Sequence, residues 1–202
     1  MEIVVGTWNA GKLEEMQQAL AKSNPEVQLV GINRYLTAKT APPEVGQSYY
    51  ENALEKARFY AQLLQKPVLA DDGGLELAAF PEILGLHTSR FFKSTTDEGK
   101  NQEILELYNT PELQELSKRQ LTLHACLVYV TATGQIFSAA EMLSGYLVAP
   151  RGMGGYGFDS IFYLPKLGKT LAQLSDQERD ALSPRIRALQ KIISQIKEHA
   201  DD

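Results

Sequence analysis

Along the first 65 residues apolar positions fall into two alternating patterns. Ile3, Val4 and Val5 form a short continuous run, and Leu13, Met16 and Leu20 follow at intervals of three and four. A short apolar run suits a buried strand, and the wider spacing suits one face of a helix. The pattern predicts a strand from Glu2 to Gly6, a helix from about Lys12 to Ala21, and a second strand in "VQLVGI". "SYYENALEKARFYAQLLQ" predicts a long amphipathic helix with Tyr50, Ala53, Leu54, Ala57, Ala61 and Leu64 on one face, and Ser48 with Glu51 forms a capping box at its start. "PVLA" predicts a short buried strand ending at an acidic turn, "DDGG", and "DEGKNQEILELY" another helix.

The pattern then changes. Leu121 to Thr131 and Gln135 to Val148 are long strand-like runs around "TATGQ", the signature of an antiparallel hairpin. A glycine cluster, a short strand "SIFYL" and two helices complete the chain. The first helix, "SDQERDAL", has its own Ser-x-x-Glu cap. The second begins after Ser183, the expected N-cap, with Pro184 as its first residue and Ile186, Leu189, Ile193 and Ile196 on one face. The expected fold class is α/β, a mixed twisted sheet with flanking helices in two lobes around a central cleft, and one domain spanning 1–202.

Composition narrows the function. The 202 residues are 44% hydrophobic and 22% charged, with net charge -5 and pI about 5.3. An acidic chain without a basic face does not suit a nucleic acid polymer or a lipid surface as partner. A small anionic substrate needs only one local basic pocket. Cys126 is the one cysteine, set in an apolar strand as core filler, and His87, His124 and His199 lack metal-ligand spacing. With no charged leader and no membrane-length apolar run, the expected location is cytoplasmic.

Five stretches carry candidate chemistry. "GTWNAGK" lies between a strand and a helix, where backbone amides form an anion cradle and Lys12 adds a point charge. Its spacing is not that of a P-loop, and an ordinary turn uses the same residue types. "ADDGGLEL" places two carboxylates at the carboxyl edge of an α/β sheet, where a divalent cation would relieve their repulsion; a capped turn is the alternative. Glu44, in "PPEVGQS", either completes a metal site or favours a helix N-terminus. "RGMGGYGFDSIF" offers aromatic faces among glycines, suited to stacking on a base or to stiffening a loop. In "RDALSPRIRAL", Arg179 and Arg185 flank a helix entry, as anion ligands or as surface ion pairs. Together the set fits magnesium and a nucleoside triphosphate.

Nearly end to end, the chain resembles the inosine triphosphate pyrophosphatase, or Ham1-like, family. "TWNAGK", "EVGQSYYENALEKA", "ADDGGLEL", "TSRFF" and "GGYGFDSIF" stand in that family's order and spacing. The resemblance implies a two-lobed α/β fold, a homodimer, Mg²⁺ dependence, and hydrolysis of ITP, dITP and XTP to the monophosphate and pyrophosphate. By position, it implies that Thr7, Trp8, Asn9, Ala10, Gly11 and Lys12 hold the triphosphate. Asp72 is then the general base and a metal ligand, Glu44 shares the metal, and Asp71 supports them. Tyr156 stacks on the base within the stretch Tyr156, Gly157, Phe158, Asp159, while Arg179 and Arg185 contact base and phosphate. Three positions depart from the family. Gly73 replaces a serine, Arg179 a lysine, and Pro184 a histidine that would donate to the base. Pro184 therefore implies a smaller margin against ATP and GTP, unless it only stabilises the helix start. Two other functions remain open: a Maf-like pyrophosphatase with another base preference, and a nucleotide-binding regulator without turnover. Retention of Asp71, Asp72, Glu44 and Lys12 argues against the regulator.

Overall fold

The computed structural model describes residues 1–200. In chain order the strands and α-helices are β1 (Glu2–Val5), α1 (Ala10–Ser23), β2 (Gln28–Gly31), α2 (Tyr49–Leu64), β3 (Val68–Leu77), α3 (Thr88–Phe91), α4 (Asp97–Leu107), β4 (Gln120–Val130), β5 (Ile136–Leu147), β6 (Phe162–Leu164), β7 (Lys169–Thr170), α5 (Asp176–Leu182) and α6 (Pro184–Ala200). The strands form a seven-stranded sheet in the order β2-β1-β3-β4-β5-β6-β7. β1 pairs in parallel with β2 and with β3, and β6 pairs antiparallel with β5 and β7. The expected mixed α/β fold is what the chain forms.

Two compact units divide the chain. The first comprises Met1–Gly73, Ala125–Glu141 and Pro184–Asp202, and the second Gly74–His124 and Met142–Ser183. β3, β4 and β5 each contribute residues to both.

In the first unit, β1–α1–β2 is a strand–helix–strand crossover, the connection parallel strands require. One face of the sheet, with Ile3, Val5, Leu69, Leu127 and Tyr129, is covered by Met16 and Leu20 of α1 and by Ile186, Leu189 and Ile193 of α6. The residues between them in sequence point the other way. Ala70, Cys126 and Val128 pack against Ala53 and Ala57 of α2, and Val4 and Val68 against Tyr60. The small Ala53 and Ala57 side chains let α2 lie close to the strands. In the second unit, Ile104 of α4 and Tyr108, the residue that caps its end, join a cluster with Leu75, Leu77, Leu121, Leu147 and Phe162.

The hairpin forms as its pattern predicts. Thr131 N donates to Gln135 O and Leu147 N to Arg119 O, partners whose numbers fall on one strand as they rise on the other. α1 starts two residues before the expected Lys12 because Asn9 caps it, its side chain accepting from Lys12 N at 3.1 Å. Of "SIFYL", only Phe162–Leu164 is strand. α5 ends at Leu182 with Ser183 as its C-cap, and Pro184 opens α6 as expected.

One correction bears on function. "DDGG" is not a turn: β3 continues from Val68 through Asp71, Asp72, Gly73 and Gly74 to Leu77.

Candidate active site

Because Asp71 and Asp72 are consecutive residues of a strand, their side chains project to opposite faces of the sheet. The picture of two carboxylates side by side sharing a cation is therefore overturned. Asp71 faces α1 and α6. Its Oδ1 lies 2.7 Å from Lys12 Nζ and its Oδ2 2.9 Å from Arg185 Nε, while Arg185 Nη1 reaches Glu15 Oε2 at 2.6 Å. The Asp71 side chain is 1% exposed. Burial disfavours its charge, but Lys12, Arg185 and Lys56 outweigh burial and hold the carboxyl well below the usual carboxylate range. Burial pushes the Lys12 ammonium down against the pull of Asp71, and Arg185 and Lys56 add to the lowering.

On the other face Asp72 meets α2. Its Oδ2 accepts from Asn52 Nδ2 at 3.1 Å, and its Oδ1 lies 3.2 Å from Lys56 Nζ. The same Lys56 Nζ is 2.9 Å from Glu44 Oε1. Asn52 and Lys56 are four residues apart, hence on one side of α2. Asn52 also fixes the approach to the helix, its Oδ1 accepting from Gly46 N at 2.9 Å. Desolvation raises the Asp72 carboxyl above its ordinary value, partly offset by Lys56 and Asn52. For Lys56 burial is the largest influence, but Asp72, Asp71 and Glu44 overcome it and raise its ammonium.

Glu44 and Asp72 thus converge on one positive centre, the Lys56 ammonium. Two hard carboxylate oxygens around one cationic point are a donor set that fits magnesium, which takes one or two carboxylates and completes its shell with water and phosphate. Among the described residues no cluster of three or more carboxylate, histidine or cysteine side chains forms a fuller metal site.

The turn before α1 is tightly built. Gly6 N donates to Leu69 O, Thr7 N to Val5 O, and Asn9 N to Thr7 Oγ1 at 3.2 Å. Ala10 and Gly11 open the helix, where backbone N–H groups lack intrahelical partners. Trp8 turns its indole to Tyr60 and Thr40. Gly73 follows Asp72 within β3.

The second unit gathers the other candidates. Gly157 has φ 63°, a conformation that favours glycine. Its N–H donates to Asp97 Oδ2 at 2.6 Å, and Asn101 Nδ2 donates to its carbonyl at 3.0 Å. Tyr156 is 39% exposed, and its N–H donates to Asp159 Oδ2 at 3.2 Å. Phe158 points inward, its ring 5.8 Å from that of Phe92. Arg179 Nε lies 3.8 Å from Asp159 Oδ2, its Nη1 donates to Leu174 O at 3.2 Å, and its Nη2 pairs with Asp176. Arg179 and Arg185, which flank one helix entry in sequence, are each engaged within a different unit.

The structure adds Lys56, Asn52 and Glu15 to the charged network. The first two stand in the "NALEKA" stretch, and their spacing of four was the available signal.

A dITP/XTP pyrophosphatase of Geobacillus kaustophilus is 35% identical over 201 residues, covering 98% of this chain and 95% of that protein. One of Thermus thermophilus is 33% identical over 202 residues, covering 98% and 93%. Among solved structures, a HAM1 protein from Coxiella burnetii superposes with a TM-score of 0.81 at 31% identity, covering 98% of this chain and 99% of that one. The model of the Ham1 family matches residues 3–195. From the turn that presents Lys12 to the helix that carries Arg185, the chain belongs to the Ham1 family.

Proposed function

We propose that this protein is a nucleoside triphosphate pyrophosphatase that converts dITP, XTP and ITP to the monophosphate and pyrophosphate, with magnesium held by Glu44 and Asp72. The observation that carries the reading is the convergence of those two carboxylates on one cationic centre, in the unit whose β1–α1 turn presents Lys12. The names of the relatives support the substrate class.

Each residue has a role that follows from its surroundings. Asp72, steadied by Asn52, accepts the proton of a water molecule as the water oxygen bonds to the α-phosphorus. The bond from that phosphorus to its bridging oxygen breaks, and pyrophosphate leaves with the electron pair. Lys12, whose side chain is 21% exposed, meets the phosphate charge at the mouth of the turn. Asp71 orients Lys12 and Arg185 from below. Lys56, within ion-pair distance of both, holds Glu44 and Asp72 close together before substrate arrives. When bound, magnesium supplies charge neutralisation and Lewis acidity at the phosphates. Within the second unit Arg179 steadies the loop of the exposed Tyr156 through Asp159. The enzyme acts in the cytoplasm as a homodimer, a state that sedimentation of the purified protein tests.

Hydrolysis of dITP in ¹⁸O-labelled water tests the reaction. The label is expected in the monophosphate. Label in pyrophosphate, or release of orthophosphate as the first product, would overturn attack at the α-phosphorus.

A further inference from the structure

Trp8 stands in the middle of the triphosphate turn, yet its side chain is directed elsewhere. Its Nε1–H donates to Tyr60 Oη at 3.1 Å and to Thr40 O at 3.2 Å. The Tyr60 hydroxyl donates to the same Thr40 carbonyl at 2.6 Å. Two side chains, one from the β1–α1 turn and one from α2, therefore close on a single backbone oxygen. Tyr60 is 1% exposed, so its ring has little freedom to leave. Gly6 makes the room for it, since a Cβ there would stand 2.7 Å from Tyr60 Cδ2.

The carbonyl so held belongs to the segment that carries Glu44. From residue 37 to residue 48 the backbone has no helix or strand, so no ladder hydrogen bonds fix it. Beyond Glu44 the segment is anchored to α2 by Gly46 N on Asn52 Oδ1 and by Gln47 N on Glu51 Oε2 at 2.7 Å. Before Glu44 it is anchored at Thr40. Glu44 is thus suspended between two fastenings, and the upstream one is built from Trp8 and Tyr60. An irregular segment of this length loses considerable conformational entropy on ordering, so each fastening changes how often Glu44 is in place.

We propose that Trp8 and Tyr60 form a clasp that positions Glu44, so that the turn presenting Lys12 and the carboxylate facing Asp72 are set by one hydrogen-bonded unit. The proposal rests on the reading of Glu44 and Asp72 as the holders of the divalent cation. The Trp8 and Tyr60 side chains are positioning groups: they act through the backbone at Thr40.

Trp8→Phe and Tyr60→Phe remove the clasping N–H and O–H and keep aromatic rings. The first measurement is hydrogen exchange of the full chain without metal or nucleotide. Faster exchange is expected in residues 37–47, with the strands and α1 unchanged. The second is the Mg²⁺ concentration that half-saturates pyrophosphate release from dITP. It should rise roughly threefold to tenfold, less than the ~10–100-fold typical of a group bonded directly to a metal ligand, with the rate recovered at high Mg²⁺. Glu44→Gln, measured alongside, separates the two levels of the argument. If Glu44→Gln leaves the Mg²⁺ requirement unchanged, the metal reading of Glu44 fails. If Glu44→Gln raises it while both clasp variants match the parent in exchange and in Mg²⁺ requirement, the clasp is overturned. Exchange that accelerates throughout the first unit, rather than in the segment, would also overturn it, because the two rings would then be general core support.

Discussion

Adjacent residues of an extended strand point to opposite faces, so Asp71 meets Lys12 and Arg185 while Asp72 meets Asn52 and Lys56. The two neighbours therefore fail in different ways when altered. Asp72→Asn keeps the shape and loses the base; pyrophosphate release should fall by roughly 10²–10⁴ with the fold intact. Near-parental turnover in that variant would remove Asp72 from the chemistry. Asp71→Asn instead leaves two cations without their buried partner, at a cost of about 3–5 kcal/mol, read from a denaturant titration. The pH dependence of stability follows from the same contact. The folded carboxyl of Asp71 lies below the ordinary value of 3.8. Its contribution is complete above that value and is lost as the pH falls through the folded one. Thermal melting should show parent stability declining below about pH 4, with Asp71→Asn lacking that component. At this scale the identities of Lys12, Glu44, Asp71, Asp72 and Arg185 were legible as charged residues near turns and helix entries, but their pairings were not. Which carboxylate faces which cation depends on strand parity, and parity is invisible while Asp-Asp-Gly-Gly is taken for a turn. Trp8 shows the converse. Its place in the turn gives no sign of where its ring goes, which is to Tyr60, 52 residues away in sequence.

Among the elements, those with strong internal periodicity were legible: the α1 and α6 faces, and the long hairpin around "TATGQ"; on α2 Ala53 and Ala57 are buried as the period predicts, but Tyr50 is exposed and Tyr60 is the aromatic that enters the core. β3 was not, because Asp and Gly are poor strand formers and a run of them reads as a turn. Pairing in the sheet overrides that preference, and Gly73 and Gly74 remain in the strand. The short β7 and the four-residue α3 carry too few residues for any period to show. Asn52 and Lys56 do not stand out in the sequence because they flank a face of alanines that reads simply as core. The start of α6 yields a further prediction. Pro184 is buried at the first helical position, where its fixed φ is already helical. Pro184→Ala should lower stability by about 0.5–1 kcal/mol, with kcat/KM ratios among dITP, XTP, dATP and dGTP unchanged. A shift in those ratios would instead place Pro184 in base selection, as the family's histidine implies.

On the scale of the molecule, the candidate residues divide as the fold does. The charged network of Lys12, Glu44, Lys56, Asp71, Asp72 and Arg185 is built within the first unit, and the Tyr156–Asp159 loop with Arg179 within the second. The sequence foretold an α/β chain with an inserted hairpin, but not this partition, since β3, β4 and β5 contribute to both units and no linker marks the boundary. Among the described residues no helix is long and apolar enough to cross a membrane. The central claim is selective hydrolysis of non-standard purine triphosphates to pyrophosphate. It is tested most directly by pyrophosphate release from dITP, XTP and ITP beside ATP, GTP, CTP and TTP, with purified protein and Mg²⁺. The account predicts kcat/KM for the first three at least about tenfold above every other nucleotide, the scale on which one hydrogen-bonded group discriminates. Equal rates across the panel, a preference for a pyrimidine, or nucleotide binding without pyrophosphate release would contradict it.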